Sequence, residues 1–375
     1  MPLRALARIN LAAIERNCAR LLRELGEAGA LAAVVKADGY GHGASPSARA
    51  ALAGGATWIA VATAGEARAL RQDGIDARLL VMGALSPEEL DVAVAAGADV
   101  VAWREPFVAA LAERAGERPL CVHVKLDSGM GRLGTHDADQ ARRVAEATAA
   151  AAGLELAGAM THFATADDPD DGGFFSAQLD RFSDWAGALR RDHPGIVVHA
   201  ANSAATLREP RSHFDLVRCG VAIYGMDPFQ QDPARRELEP ALELRSYVAD
   251  LKPRAAGESA GYGRRFVAES DTVLGVLPIG YGDGVRRALS HNADVLVGGR
   301  RRPLVGTISM DNLTVDLGPD PDVSAGAPAV LIGVDGGERL TAEEMASRLG
   351  TINYEIGCGL TPRVPRVYHR DGQPA

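Results

Sequence analysis

Short apolar runs alternate with longer amphipathic stretches from about residue 30 to residue 224. The longer stretches, such as AEARALRQDG and SPEELDVAVAAG, have helical periodicity, and several end in glycine. The short runs have the length and composition of buried strands. They are Leu31–Lys36, Thr57–Ala62, Leu79–Gly83, Asp99–Trp103, Leu120–Leu126, Leu154–His162, Ile196–Ala200 and Asp215–Tyr224. This alternation predicts a parallel sheet whose strands are connected by helices.

Eight strand–helix alternations in about 200 residues predict an α/β fold of the TIM type, a (β/α)8 barrel, with a doubly wound sheet as the alternative. A helix over Asn10–Leu25 is predicted before the first barrel strand. We place this barrel domain at residues 1–236, with residues 1–9 as a candidate addition to the second domain.

After about residue 235 the pattern changes to short β-rich runs separated by turns that contain Gly and Pro. These runs are Leu242–Leu251, Thr272–Ile279, Asp294–Val297, Leu313–Leu317 and Ala329–Ile332. One helix is predicted at Thr341–Leu349. Residues 237–375 are therefore expected to form a smaller, mostly antiparallel β domain.

Composition and charge narrow the class of protein. Hydrophobic residues make up 47% and charged residues 24%, which excludes disorder as the main state, and the net charge of −9 argues against nucleic-acid binding. No apolar run is long enough to span a membrane, and charges at Arg4, Arg8 and Glu15 argue against a signal peptide. We expect a cytoplasmic protein. The four cysteines form no CxxC pair, so no metal site is expected.

Many candidate reactive groups follow the predicted barrel strands, where active sites of such barrels lie. They are Lys36, Lys125, Asp127, Arg132, His162, His199, Asn202, Ser203, Arg218 and Gly220. A lysine at the end of an apolar strand has a lowered pKa, and its free amine can form a Schiff base, although a snorkelling surface lysine is the alternative. Backbone N–H groups near Gly220 could bind phosphate, but a turn glycine explains that position equally well.

Three tyrosines of the predicted β domain have unusual neighbours. Tyr262 in SAGYGRRF and Tyr281 in PIGYGDG are flanked by glycine, and Tyr354 lies in TINYEIGC. A tyrosine between glycines is not an obvious core residue, so its hydroxyl is a candidate ligand contact. Each of them singly is better explained by a structural role, and the three together indicate a ligand contact.

The chain resembles the alanine racemases, which are pyridoxal-phosphate enzymes built from a barrel and a β domain, over nearly its whole length. Nine motifs carry the resemblance in order: AVVKADGYGHG, KLDSGMGRLG, MTHFA, HAANSAA, VRCGVAIYG, SAGYGRRF, PIGYGDG, GTISMDNLTVD and TINYEIGC with PRVPR. The resemblance implies an isomerase that interconverts L- and D-alanine with pyridoxal 5'-phosphate (PLP) and supplies D-alanine for cell-wall peptidoglycan. It also implies a homodimer whose active sites are shared across the interface.

Residue by residue, the resemblance assigns Lys36 to holding the cofactor and to acting as one base at Cα. Tyr262 resembles the second base, which reaches the partner's site. Arg218 resembles the residue that faces the pyridine nitrogen, and His162 with Arg218 would connect that nitrogen to Tyr262 of the other subunit. Positive charge there would lower the pKa of the tyrosine. The implied phosphate cup is Tyr40, Ser203, Gly220, Val221 and Tyr354.

Further positions match the family at the substrate side of the site. Arg132 resembles the residue that contacts the cofactor's phenolic oxygen and the substrate carboxylate, and Met310 resembles the one whose backbone N–H meets that carboxylate from the partner. The remaining matches are entrance or support positions: Tyr281, Lys125 and Asp311. Lys125 corresponds to a lysine that is carbamylated in several members. Ser309 departs from the cysteine that other members often carry there.

Other functions of the same architecture are alternatives. One is a racemase of broader specificity or a serine racemase. Another is a barrel-type PLP amino-acid decarboxylase, which would place an acidic residue at the ring nitrogen where this chain has Arg218. A non-catalytic PLP carrier resembles the barrel alone and would lack the β domain, and a structural protein would lack the ordered motifs.

Overall fold

The computed structural model describes residues 3–26, 29–116 and 118–375. The chain forms two compact units. One consists of Ile14–Ile223, and the other combines the residues up to Ala13 with Tyr224–Ala375. Among the described residues, no helix combines the length and apolar character that a membrane crossing requires.

The first unit contains an eight-stranded parallel sheet. Its strands are β2 (Ala30–Val34), β3 (Trp58–Val61), β4 (Arg78–Val81), β5 (Asp99–Ala102), β6 (Leu120–Lys125), β7 (Leu154–Met160), β8 (Val197–His199) and β9 (Leu216–Cys219). Strands β2 to β8 pair in sequence order, and β9 pairs with β2. The Asp215 N–H donates to the Val198 carbonyl and the Arg218 N–H to the Ala201 carbonyl, which connects the β9 edge of the sheet to the β8 edge. The predicted TIM-type barrel is confirmed.

One helix precedes β2, and the others connect successive barrel strands. They are α1 (Leu11–Leu25), α2 (Lys36–Tyr40), α3 (Ala44–Ala53), α4 (Ala64–Gln72), α5 (Pro87–Ala95), α6 (Glu105–Ala112), α7 (Ala138–Ala150), α8 (Phe174–Asp192) and α9 (Ser203–Arg208). Two of them begin with a capping box, in which Thr63 pairs with Glu66 and Ser86 with Glu89. These reciprocal bonds start each helix at a defined residue and so fix the end of the loop that precedes it.

The second unit is mostly β. Its strands are β1 (Leu6–Asn10), β10 (Leu242–Tyr247), β11 (Asp250–Arg254), β12 (Ser259–Ala260), β13 (Phe266–Val267), β14 (Thr272–Leu277), β15 (Asp294–Val297), β16 (Arg300–Val305), β17 (Leu313–Asp316), β18 (Pro328–Asp335), β19 (Glu338–Leu340), β20 (Arg366–Arg370) and β21 (Gln373–Pro374). Its helices are α10 (Ala342–Leu349) and α11 (Asn353–Cys358). The pairings are antiparallel except for β1 with β20, which confirms the predicted β domain.

The two units bury their strands differently. Most barrel strands are buried at nearly every position, as β3 and β5 show, because helices cover one face of the sheet and the barrel interior the other. Strand β10 instead alternates buried and half-buried residues, as expected for a strand with one covered face. The N-terminal strand β1 pairs with β10 and β20, which ties the start of the chain to the β domain.

Some predicted element bounds were wrong. The strand expected over Asp215–Tyr224 ends at Cys219, and Val221–Tyr224 form a 3-10 helix instead. The run Leu242–Leu251 belongs to two strands, because the chain leaves β10 at Tyr247 and starts β11 at Asp250. Lys36 does not end a strand but begins the short helix α2, two residues after β2.

Candidate active site

The turn that follows Lys36 has an unusual backbone conformation. Ala37, Asp38 and Tyr40 have φ values of 53°, 51° and 53°, in the left-handed region that side chains other than glycine rarely adopt. Glu66 stabilises this turn, since its Oε1 accepts the Ala37 N–H at 2.7 Å. Conformations of this kind persist where surrounding bonds enforce them, and they are frequent at active sites. The turn therefore fixes the half-buried Lys36 at the barrel rim.

Tyr40 packs against the backbone that follows β9. A Cβ placed on Gly220 would lie 2.3 Å from the Tyr40 hydroxyl oxygen, so only glycine leaves room for it. The Ser203 hydroxyl, at the start of α9, accepts the N–H groups of Gly220 and Ala222 at 3.1 and 3.3 Å. Tyr40, Ser203 and Val221 are all buried. The Tyr40 and Ser203 hydroxyls and the backbone N–H groups that follow β9 thus lie together at one point of the rim, and groups of these kinds suit a phosphate.

Arg218 is a buried cation inside the barrel. One terminal nitrogen lies 2.9 Å from His199 Nδ1, and the other donates to the carbonyls of Thr161 and Ala200 and lies 3.3 Å from His162 Nδ1. Burial lowers the pKa of the Arg218 guanidinium to about 10, so it remains charged at neutral pH. These acceptors fix the plane of the guanidinium.

His162 follows β7 and stands beside Arg218. Burial of the ring, together with the neighbouring Arg218 charge, holds the pKa of His162 well below its usual range. The ring is therefore neutral near pH 7. The positive charge in this part of the site comes from Arg218 rather than from His162.

Lys125, the last residue of β6, is buried and lies among other cations. Burial and the charges of Arg218, Arg132 and Lys36 lower the pKa of its amine to about 8, against the opposing effect of Asp127. Arg132 itself is exposed on the loop that follows β6. Lys36, Arg132 and Arg218 therefore lie within electrostatic range of Lys125.

The loop that carries Arg132 is held by Asp127. Its carboxylate accepts backbone N–H groups of Gly129, Met130 and Gly131 at 2.7–3.2 Å. Asn202, another sequence candidate, caps helix α9 through its bond from the Ala205 N–H at 3.0 Å. Its position is therefore explained by the local fold.

The β domain presents Tyr262 at its surface. The side chain is 73% exposed and follows Gly261, whose φ of 76° allows the turn. The Thr307 hydroxyl donates to the Tyr262 carbonyl at 3.0 Å and holds the loop. Tyr262 lines one groove with Ser309 and Asn312, so the phenol and the loop that carries Met310 are neighbours.

Met310 and Tyr281 lie on two loops that are bonded to each other. The Tyr281 N–H donates to the Ser309 carbonyl at 3.0 Å, and the Gly282 N–H donates to the Met310 carbonyl at 2.9 Å. Asp311 pairs with Arg363 at 2.6 Å. Tyr281 and Met310 remain exposed, at 41% and 51%. This part of the β domain therefore offers an apolar, hydroxyl-bearing surface.

Tyr354 lies in α11 and is half-buried. Its neighbour Asn353 is buried and donates to Glu343 Oε1 at 2.9 Å and to the Asp227 carbonyl at 2.8 Å. Asp283 is another buried acid of this unit, and it pairs with Arg4.

Sequence reasoning missed several residues that shape the site. Glu66 acts on backbone N–H groups, and Asp99 and His123 lie inside the barrel. The GDG sequence around Asp283 resembles an ordinary turn. None of these positions carries a local signal, because each acts on a group that is distant in sequence or hidden within an apolar strand.

Comparison with known proteins identifies the family of this chain. The family model for the alanine racemase N-terminal domain matches residues 9–228, and the C-terminal domain model matches residues 241–368. An alanine racemase of Frankia casuarinae is 43% identical over 375 residues, covering 98% of this chain and 96% of its own. One of Halalkalibacterium halodurans is 40% identical over 371 residues, covering 97% and 95%.

Solved structures show the same fold. An alanine racemase from Streptomyces coelicolor A3(2) superimposes with a TM-score of 0.91 at 39% identity, covering 97% of both chains. The resemblance found in the ordered motifs is thereby confirmed. Both family models match in their expected order, and the likeness extends over nearly the full length of chain and relatives alike. This chain therefore belongs to the alanine racemase family.

Proposed function

We propose that this chain interconverts L- and D-alanine with PLP as cofactor. The observation that carries the proposal is the meeting at one barrel rim of Lys36, a hydroxyl and N–H cup, and a buried arginine. Alanine racemases as a family are PLP-dependent, and the relatives are named for this activity. Supply of D-alanine for peptidoglycan and a cytoplasmic location stay predictions.

The residues present fit PLP. Tyr40 and Ser203 supply hydroxyls for its phosphate, with the N–H groups of Gly220 and Val221 beside them, and Gly220 keeps the cup open. The Lys36 amine suits an aldehyde, and Arg218 offers N–H donors to a ring nitrogen. When bound, PLP supplies an electron-withdrawing ring that acidifies the α-proton of an attached amino acid.

Two bases on opposite faces of the substrate are needed to invert Cα. Lys36 would accept or return the proton on one face, and Tyr262 of a second copy on the other. The neutral His162, bonded to Arg218, can accept or donate a hydrogen bond along this path. Arg218 would donate a hydrogen bond to a ring nitrogen and keep its own proton, whereas a carboxylate, as in a decarboxylase, would favour protonation of that nitrogen.

A second copy of the chain would complete each site. Tyr262, Tyr281 and Met310 expose 73%, 41% and 51% of their surface on the β domain. Exposed groups of this size mark an interaction surface. We infer a homodimer in which the β domain of one subunit supplies Tyr262 and Met310 to the barrel of the other.

The test is incubation of the purified protein with PLP and L-alanine in heavy water, followed by assay of both enantiomers and of deuterium at Cα. We expect D-alanine that carries α-deuterium. L-serine in a parallel reaction separates an alanine enzyme from one of broader specificity. Release of an amine and carbon dioxide, or no exchange at Cα, would contradict the proposal.

A further inference from the structure

A line of buried, hydrogen-bonded side chains crosses the barrel interior behind Arg218. The guanidinium lies 2.9 Å from His199 Nδ1, His199 Nε2 lies 2.8 Å from His123 Nδ1, and His123 Nε2 lies 2.9 Å from Asp99 Oδ2. Both histidines are fully buried, and Asp99 is 5% exposed. The line thus connects the start of β5 to β9 through β6 and β8.

Arg218 at one end of this line and Asp99 at the other determine which ring nitrogen of each histidine carries the proton. A guanidinium only donates, so His199 must accept at Nδ1 and carry its proton on Nε2. That proton is donated to His123 Nδ1, which leaves the His123 proton on Nε2. The acceptor for this proton is the carboxylate of Asp99. Both histidines are therefore neutral Nε2–H tautomers.

The fold makes room for this arrangement. The pairing of β6 with β7 shifts register between Val122 and His123, an irregularity that re-aims a side chain. Opposite His123 stands Gly158, where a Cβ would lie only 2.1 Å from His123 Nδ1. The Trp58 ring meets the His123 ring edge-on, with 5.7 Å between centroids. The register shift, Gly158 and the Trp58 ring together hold the His123 ring in place.

Asp99 is anchored in turn. Arg78, the first residue of β4, donates to its Oδ2 from Nε at 2.9 Å and from a terminal nitrogen at 2.8 Å. The Arg78 guanidinium also stacks over the Trp58 ring at 4.0 Å. The carboxylate therefore has a fixed position from which it can accept the His123 proton.

We propose that Asp99 and His123 are positioning residues that hold Arg218, through His199, in the orientation that serves the cofactor ring. This inference rests on the proposed PLP function. Without an acceptor for its Nε2 proton, His199 can place that proton on Nδ1. Two donors would then face each other and the guanidinium would turn away. Neither Asp99 nor His123 touches the cofactor cup in this account.

The first test needs no cofactor. In the protein without PLP, nitrogen-15 NMR of labelled histidine rings should show His199 and His123 as Nε2–H tautomers near neutral pH. His123→Phe should change the His199 signals. His213→Phe, a change in another buried ring that bonds the Thr206 carbonyl at 2.8 Å, should not. An Nδ1–H tautomer of His199 in the unmodified protein would overturn the proposal.

The second test measures racemisation by variants compared at equal folded fraction. We expect His123→Phe to lower kcat at least tenfold while KM for alanine changes less than threefold. His123→Gln, which offers both an acceptor and a donor, should recover most of the loss. Asp99→Asn keeps the shape of the side chain, and we expect it to lower kcat at least threefold even if His123→Phe fails to fold.

The possible outcomes distinguish a failure of the proposed racemase function from a failure of the positioning role of Asp99 and His123. If the unmodified protein does not racemise alanine, the proposed function fails, while the tautomers still decide the hydrogen-bond line. If the tautomers are as stated but Asp99→Asn and the folded His123 variants retain full kcat, the positioning role is wrong. If His213→Phe lowers kcat as much as His123→Phe, the effect is general destabilisation and the inference is also wrong.

Discussion

Gly220 shows how one missing side chain can define a binding site. We predict that Gly220→Ala weakens PLP binding at least tenfold, because its Cβ would lie 2.3 Å from the Tyr40 hydroxyl and displace it. Titration of the cofactor-free protein with PLP measures this. Gly187→Ala in α8 is the matched control, since a Cβ there meets nothing within 4 Å. Equal PLP affinity of Gly220→Ala and the unmodified protein would contradict the proposal that the phosphate cup includes Gly220 and Tyr40.

Lys125 carries a pH dependence of stability. The pKa of its amine is about 8 in the folded protein and 10.5 at its ordinary value, because burial and nearby cations disfavour the charged form. Between these pH values the unfolded chain binds more protons than the folded one, so stability rises with pH. The change at this residue is on the order of 3 kcal/mol.

The comparison for this prediction is Lys125→Met, measured by urea unfolding in buffer free of carbon dioxide. We expect the unmodified protein to gain stability relative to Lys125→Met from pH 8 upward. Below pH 8 the difference should be constant. Excluding carbon dioxide matters because an uncharged lysine can be carbamylated. Parallel pH curves across this interval would show that the amine keeps its ordinary pKa.

At the scale of elements, Glu66 links a helix to the turn after Lys36. Its carboxylate accepts the N–H groups of Ala62, Thr63 and Ala37 at 2.9, 3.1 and 2.7 Å. We predict that Glu66→Ala costs about 1–2 kcal/mol of unfolding free energy, as expected for a lost cap, and also weakens PLP binding severalfold. Urea unfolding and PLP titration measure the two effects.

The neighbouring capping box provides the control for Glu66. Glu89 caps α5 with Ser86 in the same way, and the Ser86 N–H donates to its carboxylate at 2.9 Å. Glu89→Ala should therefore lose similar stability and leave PLP binding unchanged. If the two variants bind PLP alike, the turn after Lys36 does not depend on Glu66.

Local pattern was sufficient for the eight barrel strands but not for their ends. Burial on both faces gives continuous apolar runs that are visible in sequence, such as β3 and β5. The left-handed turn at Ala37 and Asp38 could not be predicted, because alanine disfavours it and a distant Glu66 enforces it. The parallel pairing of β1 with β20 joins opposite ends of the chain, and no local pattern encodes it.

The sequence indicated some residues of the candidate site and not others. Lys36, Arg218 and Tyr262 lie in motifs that the sequence displays. Asp99 and His123 do not, because a polar residue in an apolar strand shows no partner until the barrel closes. Interior polar groups of this kind are explained by three-dimensional contacts that sequence periodicity does not report.

At the scale of the whole molecule, the two proposed bases, Lys36 and Tyr262, lie on different units of the chain. The barrel holds Lys36 and Arg218, and the β domain exposes Tyr262 and Met310. In the proposed homodimer, Tyr262 of one copy serves the barrel of the other, so one working site needs two copies of the chain.

The most direct measurement mixes two inactive variants, Lys36→Ala and Tyr262→Phe, and allows subunits to exchange. Each heterodimer would contain one site with both Lys36 and Tyr262 intact, so an equal mixture at random exchange should regain about a quarter of the unmodified activity. Each variant alone should stay nearly inactive. A mixture no more active than its separate components, with heterodimers verified by mass spectrometry, would contradict a site shared between two copies.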